Sequence, residues 1–179
     1  MEAPRFILWR EQDRKYLLPV IALTILLGLV VGVFFVAFTS ARVDGTSMAP
    51  TLLPSDRVLI TRSYRQPRVG DIVSADIQTD TGPDSVIKRV IALPGHEVHV
   101  LGDIAYVNGT VSTVAAGAIV IAERPDLDPI TVPEGHVYLM GDNRPVSYDS
   151  RLIGPVALSS VTGRVVAVFS PLNRWTIVD

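Results

Sequence analysis

The sequence contains no cysteine, and its only basic residues besides arginine are two lysines and three histidines. The absence of cysteine excludes disulfide bonds, thiolate metal sites and cysteine nucleophiles. His96, His99 and His136 lack the spacing of a metal site, and no acidic residue singles one of them out as a member of a catalytic triad. We therefore expect neither a metal ion nor an organic cofactor.

The sequence also lacks a large excess of charge of one sign, since 16 basic residues face 18 acidic residues and the net charge is −2. This balance gives no reason to expect a nucleic-acid partner. Apolar residues make up 48% of the chain, and the mean hydropathy of +0.36 is high for a soluble domain. Part of the chain is therefore expected to contact lipid.

One apolar run, residues 17–38, is long enough to cross a bilayer. It contains about 22 residues, which would extend roughly 33 Å as a helix. A cleaved signal peptide is an alternative, because residues 39–41, Thr-Ser-Ala, resemble a cleavage site. The apolar region of such a peptide is usually shorter, about 7–15 residues. A buried core helix fits less well still, since no face of the run is polar.

Flanking charge predicts the orientation of this run. Four basic residues precede it and only Arg42 follows it closely, so the N-terminal side is expected in the cytoplasm. The preceding basic residues are Arg5, Arg10, Arg14 and Lys15. The predicted organisation is a cytoplasmic tail (residues 1–16), a single-pass anchor in the cell membrane (residues 17–39) and an extracytoplasmic domain (residues 40–179).

Beyond the anchor, short apolar runs alternate with turn residues, which is the pattern of a β-rich domain. Asn108-Gly109 is a strong hairpin signal. No long helical period follows the anchor, so the predicted fold is all-β, mostly antiparallel and strongly coiled or barrel-like. Residues 96–135 are expected to form a smaller β insertion lobe. The predicted strands are residues 57–61, 71–75, 86–91, 97–100, 104–107, 118–122, 130–132, 136–140 and 164–169.

A candidate nucleophile lies in residues 43–52, which read Val-Asp-Gly-Thr-Ser-Met-Ala-Pro-Thr-Leu. Gly45 permits unusual backbone angles and Pro50 restricts Ala49 to an extended form, so Ser47 is expected on a tight, exposed loop. The pattern is equally consistent with a turn in which Ser47 bonds only its own backbone.

A candidate base, Lys88, lies in the most apolar predicted strand of the domain. Desolvation penalises the charged ammonium and lowers a lysine pKa, so lysine can replace histidine as the base for a serine. The only other lysine, Lys15, precedes the anchor. Lys88 and Arg89 should face opposite sides of the strand, and alternation alone does not decide which of the two is buried.

A third polar cluster follows the predicted strand 136–140. Residues 141–144 read Gly-Asp-Asn-Arg, and residues 147–151 read Ser-Tyr-Asp-Ser-Arg. This density of polar side chains suits a hydrogen-bonded loop at a functional site, although most such clusters are solvated surface turns.

The three clusters, in this order and after an N-terminal span, resemble the bacterial type I signal peptidases, which are leader peptidases with a Ser/Lys dyad. The motifs that carry the resemblance are Ser-Met-x-Pro, Lys-Arg-Val-Ile-x-Leu-Pro-Gly and Gly-Asp-Asn-Arg. The resemblance implies a signal-peptidase-like β-fold and a membrane-bound serine endopeptidase whose catalytic domain is extracytoplasmic. Its partners would be precursor proteins that carry signal peptides, and the lipid bilayer.

The resemblance also implies roles for individual residues. Ser47 matches the nucleophile, Lys88 the general base, and Ser147 the hydroxyl that orients the lysine amine. The backbone N–H of Ser47 matches an oxyanion-hole donor. Further matches are the ion pair Asp149 and Arg151, the loop-supporting residues Asp142 and Arg144, and the residues Val43, Met48, Leu52 and Ile87, which line small subsites for the substrate side chains at −1 and −3.

Two departures from the family pattern affect the site. Gly45 stands where some members carry a serine that supplies a second oxyanion donor, so Thr46 or water would have to substitute. Pro145-Val146 replaces a common polar pair and could alter how Ser147 approaches the lysine. Two other interpretations remain open, namely a specialised Ser/Lys processing peptidase of related fold and a non-catalytic membrane-anchored β-domain.

Overall fold

The computed structural model describes residues 11–62, 64, 66–79, 82–113 and 125–178. The chain forms two compact units, one that ends at Ala37 and one that begins at Phe38. The first contains a long helix, and the second contains the strands.

Helix α1 spans Glu11–Ala37, and its apolar part, Lys15–Ala37, has 23 residues and a mean hydropathy of 2.9. At 1.5 Å per residue this part is roughly 35 Å long, which is enough to cross a hydrocarbon core. None of it is buried within the molecule. The sequence predicts an anchor up to residue 39, whereas Phe38 and Thr39 lie in the first strand because they pair with the second.

The described residues of the second unit are all-β apart from single helical turns, which confirms the predicted fold class. Its strands are β1 (Phe38–Arg42), β2 (Arg57–Thr61), β3 (Ile72–Thr79), β4 (Gly82–Ala92), β5 (Glu97–Leu101), β6 (Ile104–Val107), β7 (Thr110–Val111), β8 (Ile130–Thr131), β9 (His136–Met140), β10 (Val156–Ala157), β11 (Val161–Ser170) and β12 (Thr176–Ile177). The helical turns are α2 (Ser150–Ile153) and 3-10 turns at Arg144–Val146, Leu158–Ser160 and Leu172–Arg174.

The larger sheet has eight strands in the order β1-β2-β11-β3-β4-β9-β10, with β12 paired to β11. Neighbouring strands are antiparallel, and the register shifts where β11 pairs with β2 and β3 and where β4 pairs with β9. Such irregularities bend strands and increase their twist. The sheet is therefore coiled, and it brings the β1–β2 loop, β4 and the loop after β9 together.

The smaller sheet has the order β7-β6-β5-β8 and lies within the range 96–135 that the sequence predicts as an insertion. Asn108 and Gly109 join β6 to β7 with φ angles of 51° and 75°. Two successive positive φ values are what a tight type I′ hairpin turn requires. The strand predicted at residues 118–122 lies outside the described residues.

The C-terminal half of β4 is covered on both faces. Ile91 packs in an apolar cluster with residues of β5, β6 and β9, whereas Val90 packs in a different cluster with residues of β3 and β9. As a result Lys88 and Arg89 are both buried, at 4% and 8% exposure. The fold therefore holds two neighbouring basic side chains inside the protein, where a charged form needs compensation.

Candidate active site

The loop between β1 and β2, residues 43–56, is called the Ser47 loop below. Its ends are joined where the N–H of Val43 donates a hydrogen bond of 2.8 Å to the carbonyl oxygen of Asp56. Met48 and Leu52 are fully buried, in an apolar cluster that includes residues of β2 and β11. The loop is thus fixed both at its ends and by two apolar side chains, which restricts where the serine can lie.

Lys88 extends from β4 towards this loop, and its Nζ lies 2.8 Å from Ser47 Oγ. Burial lowers the pKa of the Lys88 amine; the charge of Asp149 opposes this shift, and the charge of Arg151 adds to it. A buried amine with a lowered pKa, within hydrogen-bond distance of a hydroxyl, has the geometry that a general base requires.

Ser147 is buried near the same loop but is not bonded to the lysine. It is 1% exposed, and its Oγ has no hydrogen-bond partner of ordinary geometry among the described residues. Gly141 brings it close to the Ser47 loop: a Cβ added at Gly141 would overlap Ser147 Oγ and lie 2.5 Å from the Ser47 carbonyl oxygen. Only glycine permits this approach.

Two carboxylates share the guanidinium of Arg151. Its Nε and one terminal nitrogen donate to the Asp149 carboxylate, both at 2.9 Å, and its other terminal nitrogen donates to Asp103 at 2.7 Å. Burial alone would raise the pKa of Asp149, but the hydrogen bonds and charge of Arg151 lower it. Asp149 also accepts the N–H of Gly141 at 2.9 Å. The ion pair therefore holds the backbone that touches the Ser47 loop.

Asp142 and Arg144 secure the same loop through different partners. Arg144 Nε donates to the carbonyl oxygen of Gly141 at 2.9 Å. Asp142 accepts two hydrogen bonds from Arg89, at 2.9 and 2.7 Å, and one from the Thr51 hydroxyl at 2.6 Å. Asp142 thus links the Ser47 loop to the strand that carries the lysine.

Asn143 joins the two loops directly. Its backbone N–H donates to the carbonyl oxygen of Ser47 at 2.9 Å, and its side-chain amide donates to the carbonyl oxygen of Thr46 at 3.1 Å. The backbone on both sides of the Ser47 Cα is therefore held by residues that follow β9.

Three members of this network, the half-buried Thr51 and the buried Arg89 and Asp103, are not identified from the sequence. One feature of the sequence points to a role for Arg89 in the site, namely its position beside Lys88 in an apolar strand. Asp103 lies 48 residues from Arg151, and an acidic residue in a turn after glycine is ordinarily a turn former. These contacts are long-range, so no local sequence pattern records them.

A cleft of about 870 Å³ opens beside the serine and the lysine. Three of the four predicted subsite residues, Val43, Met48 and Ile87, line it, and so does Gly45. Leu52 does not line the cleft, because it is fully buried in the core. No group of three or more histidines or acids among the described residues is close enough to hold a metal ion.

Comparison with known proteins places the chain among the peptidases. The model of the family described as "Signal peptidase, peptidase S26" matches residues 15–170. The chain therefore belongs to the signal peptidase family, peptidase S26.

Relatives in this family match most of the chain. Signal peptidase I of Bacillus licheniformis is 33% identical over 171 residues, which cover 89% of this chain and 90% of that protein. The probable signal peptidase I-1 of a Synechocystis strain is 33% identical over 167 residues, covering 88% and 83%. The crystal structure of a signal peptidase I from Enterococcus faecalis is 31% identical, covers 57% of this chain and 98% of that chain, and has a TM-score of 0.47.

Proposed function

We propose that this chain is a membrane-anchored endopeptidase that removes signal peptides from exported precursor proteins, with Ser47 as nucleophile and Lys88 as general base. The observation that carries the proposal is the 2.8 Å separation of Lys88 Nζ and Ser47 Oγ beside an open cleft. Family membership supports the reaction class. The names of the relatives support the substrate class.

The reaction begins with a proton transfer. Neutral Lys88 accepts the hydroxyl proton of Ser47 as Oγ attacks the carbonyl carbon of the substrate residue at −1. The tetrahedral oxyanion that forms needs hydrogen-bond donors, and the N–H of Ser47 supplies the first. Gly45 lines the cleft but offers no hydroxyl, so a second donor comes from Thr46 or from water.

The lysine then serves as an acid and again as a base. The protonated amine of Lys88 gives its proton to the nitrogen of the mature protein's first residue, and the C–N bond breaks. A water molecule next attacks the acyl-serine ester while Lys88 takes its proton. The ester C–O bond then breaks, Lys88 returns the proton to Ser47 Oγ, and the signal peptide leaves with a C-terminal carboxyl group.

Burial is the largest cause of the lowered pKa of the Lys88 amine, and a lowered pKa favours the neutral form. The charges of Asp149 and Arg151 act on the Lys88 pKa in opposite directions. Because those two residues are paired, their effects on the amine partly cancel, and desolvation dominates. We propose that the pair positions the loop after β9, with Asp142 and Arg144, and that Ser147, which is buried in that loop, orients the amine.

The cleft accounts for a preference for small residues. Val43, Met48 and Ile87 present apolar walls beside the serine. Val43 and Met48 belong to the same packed cluster, and Ile87 packs against it, so the walls cannot move apart without disturbing the core. Small side chains at −1 and −3 would fit such walls, and large ones would not.

Helix α1 supplies the anchor. Its 23-residue apolar part has no buried residues and begins with basic Lys15, and the sequence before it carries three further basic residues. The positive-inside rule then places the N-terminus in the cytoplasm and the β-unit outside the cell membrane. Precursors reach the same face of the membrane as they are exported.

The serine–lysine contact also separates this proposal from a non-catalytic β-domain. Burying a lysine amine costs free energy, and a structural domain gains nothing by placing it against a serine beside a cleft. A specialised processing peptidase would use the same pair, and the range of precursors cleaved distinguishes it from a general signal peptidase.

The test is cleavage by the full chain in detergent micelles of several unrelated secretory precursors, with N-terminal sequencing of the products. The proposal predicts one cut after a small residue in each precursor by the wild type, and no cut by Ser47→Ala. Cleavage of a single precursor would point to the specialised peptidase, and full cleavage by Ser47→Ala would contradict the proposal.

A further inference from the structure

The last described segment of the chain lies beyond the part that the family model matches. That match ends at residue 170, whereas the structure continues through a 3-10 turn at Leu172–Arg174 and through β12, which pairs with β11. Residues 171–178 are called the C-terminal segment below. It is connected to the Ser47 loop in two ways, one polar and one apolar.

The polar contact is made by Arg174. Its Nε lies 2.9 Å from Asp56 Oδ1 and a terminal nitrogen lies 3.0 Å from Oδ2, while the same nitrogen donates to the carbonyl oxygen of Thr51 at 3.3 Å. Asp56 is 1% exposed and accepts the N–H of Leu53 at 2.8 Å. Burial would raise the pKa of Asp56, but the hydrogen bond and charge of Arg174 lower it. One guanidinium therefore holds two points on the Ser47 loop.

The apolar contact is made by Val178. This side chain is 8% exposed and belongs to the same cluster as Val43, Met48 and Leu52 of the Ser47 loop. The loop and the C-terminal segment thus share one apolar cluster with the sheet.

A chain of hydrogen bonds connects Thr51 to the strand that carries Lys88. The carbonyl oxygen of Thr51 accepts from Arg174, and its hydroxyl donates to Asp142 at 2.6 Å. Asp142 is bonded twice to Arg89, which neighbours Lys88 on β4. A displacement of the Thr51 backbone would therefore change the spacing between the serine and the lysine.

We infer that the C-terminal segment is a brace that positions Ser47 against Lys88, and that Arg174 is its positioning residue. The inference rests on the proposed role of Ser47 as nucleophile. Arg174 has no contact with the serine or the lysine, so it acts through Asp56 and Thr51. Its removal should slow the chemical step more than it weakens substrate binding, because small misplacements of reacting groups strongly lower the rate.

The chain contains a matched control for this residue. Arg164 pairs with buried Asp71 at 3.1 Å, and its side chain is 33% exposed, compared with 32% for Arg174. Arg164 has no contact with the Ser47 loop in any described hydrogen bond. Arg164→Gln therefore also removes a partly exposed arginine that pairs with a buried aspartate, but it leaves the contacts of the C-terminal segment with the Ser47 loop intact.

The experiment compares kcat and KM for wild type, Arg174→Gln and Arg164→Gln, each as the full chain in detergent micelles with one signal-peptide substrate. Arg174→Gln should lower kcat roughly tenfold or more while KM changes by less than about twofold. Arg164→Gln should leave both within about twofold. Arg174→Lys should recover part of kcat, because a lysine can pair with Asp56 but lacks the fork that also reaches Thr51.

Ser47→Ala in the same assay separates the positioning role of Arg174 from the proposed role of Ser47 as nucleophile. If Ser47→Ala is inactive and Arg174→Gln behaves like Arg164→Gln, the brace is overturned and the proposed function stands. If Ser47→Ala remains active, both are overturned. Should Arg174→Gln fail to fold, Arg174→Lys against Arg164→Lys carries the comparison, and equal kcat values in that pair would overturn the brace.

Discussion

Lys88 and Ser47 face each other because a strand and a loop far apart in the sequence are each fixed by burial. Lys88 is 4% exposed, and its amine lies 2.8 Å from the hydroxyl. Desolvation is the largest influence on its pKa and favours the neutral form. A lysine in water would be protonated at neutral pH and could not accept the proton of a serine.

Removal of either member of the pair should abolish activity. We expect Ser47→Ala and Lys88→Ala each to lower kcat by about 10³-fold or more, and the double variant to be little slower than either alone, because the two residues act as a unit. The measurement is precursor cleavage, with thermal unfolding to establish that each variant is folded. Activity in either single variant near that of wild type would contradict the assignment.

Gly141→Ala tests the close approach between the two loops. The added Cβ would overlap the Ser147 side chain and lie 2.5 Å from the Ser47 carbonyl oxygen, so the loops must separate. We expect a loss of activity of at least about tenfold. Gly28→Ala, in helix α1, is the control, because its added Cβ would meet no atom of another part of the described chain within 4 Å. Equal activity of the two variants would show that the close approach of Gly141 to the Ser47 loop is not needed for catalysis.

The substrate residue at −1 tests the apolar walls. Replacing alanine by phenylalanine there should lower kcat/KM well over tenfold, since forcing a large group into a packed apolar site costs about 1–3 kcal/mol. The walls in question are Val43, Met48 and Ile87. A peptide pair that differs only at this residue provides the measurement, and equal kcat/KM values would mean that these residues do not form the subsite.

Among the elements, β4 carries the main difference between sequence and structure. Strand alternation indicates that Lys88 and Arg89 face opposite sides, one of them more buried than the other, yet both are buried because other strands pack on both faces of β4. The charge of Arg89 is compensated by Asp142, which lies 53 residues away in the sequence. A pattern within one strand carries no information about such a partner.

Arg89→Met tests that compensation. It would leave Asp142, which is 2% exposed, without the two hydrogen bonds that balance its charge. Removing one partner of a buried pair typically destabilises a protein by about 3–5 kcal/mol. The exposed Arg62→Met should change stability by less than about 0.5 kcal/mol. Urea unfolding of both variants gives the comparison, and equal midpoints would mean that the Arg89–Asp142 pair contributes nothing to stability.

The sequence predicts the elements well where the signal is local. The hairpin at Asn108-Gly109 and strands β2 and β9 occur at their predicted positions, because period-two alternation and turn residues act over a few neighbours. Ser47 and Lys88 were assigned from motifs, and their contact depends on how the sheet coils. The sequence does not identify Asp103 and Arg174, because only tertiary contacts connect them to the site.

For the whole molecule, the division between α1 and the β-unit predicts the effect of truncation. The apolar part of α1 is not buried, so a chain that starts at Phe38 should keep the unfolding temperature of the β-unit while it leaves the membrane fraction. A chain that starts at residue 43 should be less stable, because it lacks β1 and the pairing of β1 with β2. Cell fractionation and thermal unfolding test both, and a truncated chain from Phe38 that stays with the membrane would contradict the anchor.

The dependence of kcat/KM on pH, measured for the intact chain in detergent micelles, shows whether Lys88 acts as a neutral base. A lowered Lys88 pKa means that the amine loses its proton at lower pH than an ordinary lysine, so activity should rise with pH through that lowered value. The midpoint should therefore lie well below the ordinary lysine value of about 10.4. Lys88→Arg should be inactive at every pH, because arginine stays charged. An ascending limb centred near 10 for the wild type would mean that the lysine is solvated, and it would contradict the serine–lysine mechanism.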